Sequence, residues 1–257
     1  MASDQPPGTV IVTHEDPLYV SEFFASFLSH ADLDRAVSVL LVVLQPPFRE
    51  SRVELGRRMI GFFGPIGFGR MAFRYGMALA RGRSVKRMLD RSGISSIRQT
   101  DVNDRSFLTR LAGMRPDLIL SMNAPQIFGR ELLDLPRLGC INLHTGSLPE
   151  YRGLMPSFWQ LYHRERQAGV TVHAMTEVVD GGVVLSRTEV EIEPSESLDS
   201  LTRRCKRKGA ELMIGTLLRM RSGSLSAEQV DLAQGSYFTF PSRREASEFR
   251  RRGGRLV

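Results

Sequence analysis

Apolar and polar positions divide the first half of the chain into short runs of strand length separated by mixed, helix-like stretches. Thr9-Val-Ile-Val-Thr13 is a continuous apolar run that predicts a buried strand, and Ala36 to Leu44 predicts a second, closed by Pro46-Pro47. Between them Pro17 to Leu28 has helical spacing, with Asp16 placed to cap it and Pro17 at its first position. A strand, a helix and a second strand in that order predict a parallel sheet. Further strands are expected over Ile94–Gln99, Pro116–Met122, Gly139–His144, Gly169–Met175 and, at an edge, Val183–Ile192. Asn103 or Asp104 should cap a helix ending near Met114. Pro125 should open a helix running to about Leu133, and Pro156 one reaching Arg164. Leu198 to Met220 is a long helix carrying the basic run Arg203-Arg-Cys-Lys-Arg-Lys208. The aromatic run from Tyr237 to Phe240 is a short strand or cover, and the basic end beyond it is expected to be exposed and without fixed structure.

One stretch does not belong to this alternation. Residues 49–91 hold Gly61-Phe-Phe-Gly-Pro-Ile-Gly-Phe-Gly69 and then Arg70, Arg74 and Arg81, spaced by four and seven and so expected on one helix face. The simplest reading is an inserted helical pair packed on the sheet. The alternatives are a partner-binding surface or, over residues 60–83, a helix lying on an anionic membrane surface.

Composition adds bounds. The 257 residues suffice for one full core, or one plus a small appendage. Two cysteines make no disulfide framework, so a reducing compartment is expected. The polar start, Met-Ala-Ser-Asp-Gln-Pro-Pro, does not resemble a signal peptide, and no apolar run approaches a membrane span. The expected location is therefore cytoplasmic, with a membrane-peripheral one as the alternative. The net charge of +7 is uneven: residues 49–91 hold 11 Lys/Arg against 3 Asp/Glu, and residues 199–257 hold 13 against 6. Such segments are solvated surface or attract an anion such as phosphate or lipid. No nucleic-acid module is recognisable, and nucleic acid is not an expected partner.

The chemistry gathers between Cys140 and Gly182. Asn142 and His144, two apart on a strand, project from the same face. After the loop Thr145-Gly-Ser-Leu-Pro149 and the strand Gly169–Met175, Asp180 stands before Gly181-Gly182. Singly, these residues read as a polar strand face and a turn carboxylate. Together they offer an amide donor for an oxyanion, an imidazole that holds or moves a proton, and a carboxylate to orient it, the groups that acyl transfer to an amine needs. His173 either faces a substrate or is a satisfied core histidine. Arg152 either braces the loop or meets substrate. The His and acidic residues show no metal-ligand spacing, so no metal is expected.

Asn-x-His at 142–144, Leu148-Pro-x-Tyr-Arg-Gly153, Gly169-Val-Thr-x-His-x-Met175 and Val179-Asp-x-Gly182 together resemble the formyltransferases that use 10-formyltetrahydrofolate. The resemblance covers about Asp117 to Ile192. It implies an α/β, Rossmann-like formyltransferase fold with a mostly parallel sheet flanked by helices. The catalytic domain would span 1–195 with the insert 49–91, followed by a C-terminal helix and short extension over 196–257. It implies Asn142, His144 and Asp180 as catalytic residues, with His144 protonated and sharing the oxyanion with Asn142. It places the folate's pterin against the backbones of Ser121, Met122 and Asn123 and of Glu177, Val178 and Val179, with side chains such as Met122 covering its faces. The loop after His144 departs from the frequent Pro-Ser-Leu-Leu-Pro of the family. The first turn, His14-Glu-Asp-Pro17, lacks the glycine-rich phosphate loop of glycinamide ribonucleotide transformylases, and the tail is shorter than the tRNA-gripping domain of methionyl-tRNA formyltransferases. The expected reaction is formyl transfer to a primary amine of a small acceptor, foremost an amino sugar. The alternatives are glycinamide ribonucleotide or methionyl-tRNA as acceptor, hydrolysis of the formyl folate, and non-catalytic folate or partner binding.

Overall fold

The computed structural model describes residues 5–46 and 52–257. Strands β1 (Gly8–His14), β2 (Ser38–Gln45), β3 (Ser96–Arg98), β4 (Leu118–Met122) and β5 (Cys140–His144) are parallel, in the order β3-β2-β1-β4-β5. The two-residue β6 (Arg152–Gly153) lies outside this sheet. β7 (Gln167–Ala174) joins β5 antiparallel, and β8 (Val184–Glu191) joins β7 antiparallel at the edge. The order reverses between β1 and β4, which opens a crevice beyond their carboxyl ends, the usual ligand position in such sheets.

The strands are apolar because both faces are covered. On one face α1 (Val20–Leu28), α4 (Val85–Arg91) and the long α8 (Leu198–Ser222) pack Phe23, Phe24, Phe27, Leu89, Cys205 and Met213 against Ile11, Leu120, Leu143 and Val170. On the other, α5 (Arg105–Gly113) and the short α6 (Arg130–Leu133) set Phe107, Leu111 and Leu132 against Val10, Val43 and Ile119. The remaining helices are the single turn α2 (Leu33–Ala36), the inserted α3 (Arg52–Ala80), α7 (Pro156–Tyr162) and the C-terminal α9 (Arg243–Arg251).

Several expectations shift. The helix after β1 begins at Val20, because Asp16 uses its carboxylate on the backbone N–H groups of Leu18 and Tyr19 and so caps a separate turn. Asp104, not Asn103, caps α5, accepting from the Phe107 N–H at 2.9 Å. Pro125 opens no helix. The chain stays irregular to Gly129, where Gln126 bonds Asp101 and Gln45 and Asn103 bonds the Ile127 carbonyl. The basic C-terminus is structured. The α9 start carries a capping box between Ser242 and Glu245, and Ala246, Phe249 and Leu256 are buried against Phe62, Phe158 and Trp159. The Leu198 and Asp199 N–H groups donate to the Arg255 and Leu256 carbonyls, which ties the chain end to the start of α8. The aromatic run does form a strand, β9 (Tyr237–Phe238), paired with β6.

The insert is a bent helix followed by α4. At Gly64 the backbone turns to φ 74°, ψ 166°, and Pro65 starts the second half. The first half buries Phe62 in the aromatic cluster, and the second buries only Met71 and Ala78, with Arg74 reaching Asp199 at 2.7 Å. The three arginines therefore do not act alike: Arg74 turns inward while Arg70 and Arg81 stay exposed. The beginning of the insert, 49–51, lies outside the described residues, as does Pro47.

Candidate active site

Strand pairing alone brings three polar residues into a row. Ser121 on β4 pairs with Asn142 on β5, and Asn142 pairs with His173 on β7. One strand step on, His144 is in register with Thr171. The loop after β7 then returns Asp180 to these strands. Its Oδ1 lies 3.6 Å from His144 Nδ1 and 3.5 Å from His173 Nε2. Asn142, His144 and Asp180 thus converge, and His173 joins them as a fourth member.

Hydrogen-bond partners assign the orientation of each ring. His173 is 2 % exposed; its Nδ1–H donates to the Ala174 carbonyl at 2.8 Å, so Nε2 accepts from the Asn142 amide at 3.1 Å. The Asn142 NH2 group is thereby aimed, with a second N–H left over. His144 Nε2–H donates to the Tyr151 carbonyl at 2.6 Å, which leaves Nδ1 facing Asp180. Gly146 permits this approach: a β-carbon there would stand 2.8 Å from His144 Nε2 and 2.9 Å from the Tyr151 oxygen.

Asp180 sits in the left-handed region at φ 50°, and the Gly153 N–H holds its Oδ2 at 2.8 Å. Arg152 grips the preceding residue, donating from Nε and Nη2 to the Val179 carbonyl at 3.2 and 2.9 Å. Of its two expected roles, bracing the loop is the one this geometry contains. Gly153 itself lies at φ 93°, and a β-carbon there would be 2.1 Å from the Phe238 carbonyl oxygen. The Asp180 loop is therefore held, through Gly153, against β9, almost sixty residues further along the chain.

Burial decides the charges. His144 is driven below the ordinary imidazole range by desolvation; Asp180 and the Tyr151 carbonyl oppose this without overcoming it. The resting imidazole is therefore neutral near pH 7. For Asp180 burial works upward, but the charge on His144 when it is protonated and the Gly153 N–H outweigh it and hold the carboxyl well below its usual range. A carboxylate beside a neutral imidazole stabilises the imidazolium once it forms.

The residues assigned to the pterin present less than expected. Met122 is fully buried in the core and covers no ligand face. Asn123, at φ 54°, has its carbonyl taken by His14 Nδ1–H at 2.7 Å. The Val179 carbonyl is taken by Arg152, and the Val178 N–H and carbonyl bond Thr176. Ser121 is buried in the polar row, while Glu177 and Val178 are exposed. Glu177 lines a cleft of about 410 Å³ with Gly139, Cys140 and Met175, which the three converging residues do not enter.

One group had no place in the sequence reading. Lys206 on α8, 2 % exposed, donates from Nζ to Asn123 Oδ1 and lies 3.9 Å from Met122 Sδ, at the carboxyl end of β4. Helical spacing carried the signal. Lys206 stands four before Ala210 and seven before Met213, both on the buried face of α8. The His14 ring on the Asn123 carbonyl left no such signal. Among the described residues no group of three or more His, Cys, Asp or Glu side chains is arranged to hold a metal ion.

A sequence profile described as formyl transferase matches residues 76–217, more than half of the chain and all of the convergent residues. The chain belongs to the formyltransferase family. A methionyl-tRNA formyltransferase of Thermotoga maritima is 31 % identical over 162 residues, 61 % of this chain and 52 % of that protein. The chain spans about half the length of the curated relatives it matches. Among solved structures, a sugar N-formyltransferase from Shewanella sp. FDAARGOS_354 superposes with a TM-score of 0.59 at 19 % identity, over 95 % of this chain and 79 % of that one. A sugar 3N-formyltransferase solved with dTDP and 5-N-formyl-THF gives 0.57 at 14 % identity, over 91 % and 70 %. These similarities show a shared fold, the Rossmann-like formyltransferase sheet with its antiparallel pair β7-β8 at one edge.

Proposed function

We propose that this formyltransferase moves a formyl group from 10-formyltetrahydrofolate to a primary amine, with Asn142, His144 and Asp180 as its catalytic residues. The observation that carries the reading is the convergence of the Asn142 amide, the His144 ring and the Asp180 carboxyl at the ends of β5 and the β7 loop. The donor supplies an activated formyl carbon. As the amine attacks it, the spare N–H of Asn142 meets the oxygen that takes up negative charge, and the bond to His173 fixes that N–H beforehand. His144 Nδ1 takes the proton leaving the amine, because Nε2–H is committed to the Tyr151 carbonyl. Asp180 stabilises the imidazolium so formed; as the tetrahedral intermediate collapses, the bond between the formyl carbon and folate N10 breaks, the imidazolium returns its proton to that nitrogen, and tetrahydrofolate leaves. The clamp from Arg152 and Gly153 keeps Asp180 from rotating away.

A flat donor ring is compatible with the exposed loop at 176–178, where the apolar side chain of Val178 is half exposed beside Glu177. His173 belongs to this reading as a positioning residue for Asn142 rather than as an acceptor contact. For the acceptor we favour an amino sugar, as in the solved sugar N-formyltransferases that share this fold. The second reading is methionyl-tRNA, supported by the names of the curated relatives. Incubation with 10-formyltetrahydrofolate and, separately, amino-sugar nucleotides or methionyl-tRNA, read as formyl gain, distinguishes them. Gain on the tRNA alone would replace the first acceptor with the second. Release of formate with no amine formylated would establish hydrolysis.

A further inference from the structure

Beyond Gly64 the inserted helix has an outer face that nothing covers. Met71 and Ala78 point into the protein. On the opposite side, by helical spacing, lie Ile66, Phe73, Met77 and Ala80. Ile66 is 82 % and Phe73 69 % exposed, and Met77 and Ala80 are exposed with them. Large side chains seldom stand this open in a row, and such a stripe marks an interaction surface.

The charges beside the stripe say what it meets. Arg70 and Arg81 flank it, both exposed, and neither makes an ion pair among the described residues. Arg74, on the inward side, is neutralised by Asp199. The arginines are thus sorted: the one facing the protein has its carboxylate, and the two facing out have none. No Asp or Glu occurs between Glu54 and Asp90, so the face carries no acid of its own. A second copy docked by a two-fold axis would set Arg70 and Arg81 against the same arginines. A surface offering both an apolar layer and negative headgroups satisfies both features at once.

We propose that residues 65–80 of α3, with Arg81 just beyond its end, lie on an anionic lipid surface. Ile66, Phe73 and Met77 enter the headgroup–acyl boundary, and Arg70 and Arg81 extend their stems past them to lipid phosphates. The helix lies in the surface and does not cross it; no helix among the described residues is long and apolar enough to span a membrane. The Gly64–Pro65 bend separates this half from the first, whose Phe62 stays in the aromatic core. The assignment stands apart from the formyl-transfer reading, since none of its residues belongs to the site.

Co-sedimentation of the full chain with vesicles tests it. Vesicles of phosphatidylcholine with about one-third phosphatidylglycerol should pellet the protein at low salt, and phosphatidylcholine alone should not. Ile66→Ser with Phe73→Ser, and separately Arg70→Glu with Arg81→Glu, should each weaken binding by roughly tenfold or more, and rising salt should weaken the wild type. All four positions are exposed, so both variants should keep the wild-type melting temperature, which separates lost docking from lost folding. Absence of pelleting with anionic vesicles, or pelleting unchanged in both double variants, overturns the proposal. So does a vesicle-free dimer, seen by sedimentation equilibrium, that the Ile66→Ser, Phe73→Ser variant dissolves, because the face would then belong to a second copy.

Discussion

Replacing Lys206 with Met should make the protein more stable. Its ammonium is buried with one oxygen partner, Asn123 Oδ1, and a thioether. Burial lowers its pKa from 10.5 to about 8, against smaller upward pulls from Cys205 and Asp16. That difference corresponds to about 3 kcal/mol by which folding disfavours the charged form. The sign follows from proton counting. Below about pH 8 the lysine is charged in both states and the folded protein carries the whole penalty. Between about pH 8 and the unfolded value the folded state has shed its proton while the unfolded state keeps it, so stability rises with pH and the penalty disappears. Met fills similar space without charge, and Asn123 is exposed, so water replaces the lost bond. Urea unfolding at pH 7 should therefore show Lys206→Met more stable by about 1–3 kcal/mol, with the gap closing toward pH 10.5. Cys140 and Cys205, pushed up to about 12 by burial, act in the opposite direction; Cys140 cancels in the difference between the two proteins, whereas Cys205 loses the downward pull of Lys206 in the variant, which adds to the closing of the gap at high pH. A variant less stable at pH 7, or a gap that stays constant from pH 7 to 10.5, would refute the reasoning.

Other outcomes follow from the same geometry. His144→Ala and Asp180→Ala should each lower turnover about a hundredfold or more with circular dichroism unchanged, and near wild-type turnover would remove the residue from the proposed mechanism. Because neutral His144 is the proposed base and burial lowers its pKa, the acid limb of kcat/KM should lie below the ordinary imidazole range, and Asp180→Asn should move it lower still, since the carboxylate raises that pKa. Gly153→Ala should cost about 2 kcal/mol or more in urea unfolding, because its backbone is left-handed and a methyl group has no room against Phe238. Glu22→Gln should cost about 3 kcal/mol, since its buried carboxylate binds Arg83, Arg203 and Arg207 at 2.8, 2.9 and 3.0 Å; an unchanged unfolding midpoint would show that the arginines are adequately solvated without it.

What could be read from the sequence was what depends on short spacing. Asn142 and His144 share a face because a strand has a period of two, and apolar runs marked the buried strands β1, β2, β4, β5 and β7, while β8 showed as alternation. The antiparallel turn of β7 onto β5 left no mark, because an apolar strand buried on both faces reads alike in either direction. Asp104 announced its cap, whereas Asp16 and Pro125 carried helix-start residues that tertiary hydrogen bonds turned to other uses. The support of Asp180 was hidden for a different reason. It comes from Gly153 and, through it, from Phe238, and only pairing between β6 and β9 reveals the link. The basic C-terminus was misread from its charge: Arg243, Arg244 and Arg251 face outward, but Arg250 reaches the Phe62 carbonyl, and Ala246 and Phe249, three apart on α9, close the aromatic cluster together with Leu256. Lys206 stands inside a basic run that reads as solvated surface or an anion site, and only its helical position, in line with Ala210 and Met213, marks it as buried.

Formyl transfer itself is tested most directly by mass. Purified protein, 10-formyltetrahydrofolate and a panel of amine acceptors, chiefly amino-sugar nucleotides with methionyl-tRNA beside them, should yield one acceptor whose mass rises by one formyl group in step with loss of the folate's formyl group. The same mixture with Asp180→Ala should yield it at least about a hundredfold more slowly. Consumption of the folate with formate as the sole product, or formylation that proceeds equally well without His144 and Asp180, would contradict the account.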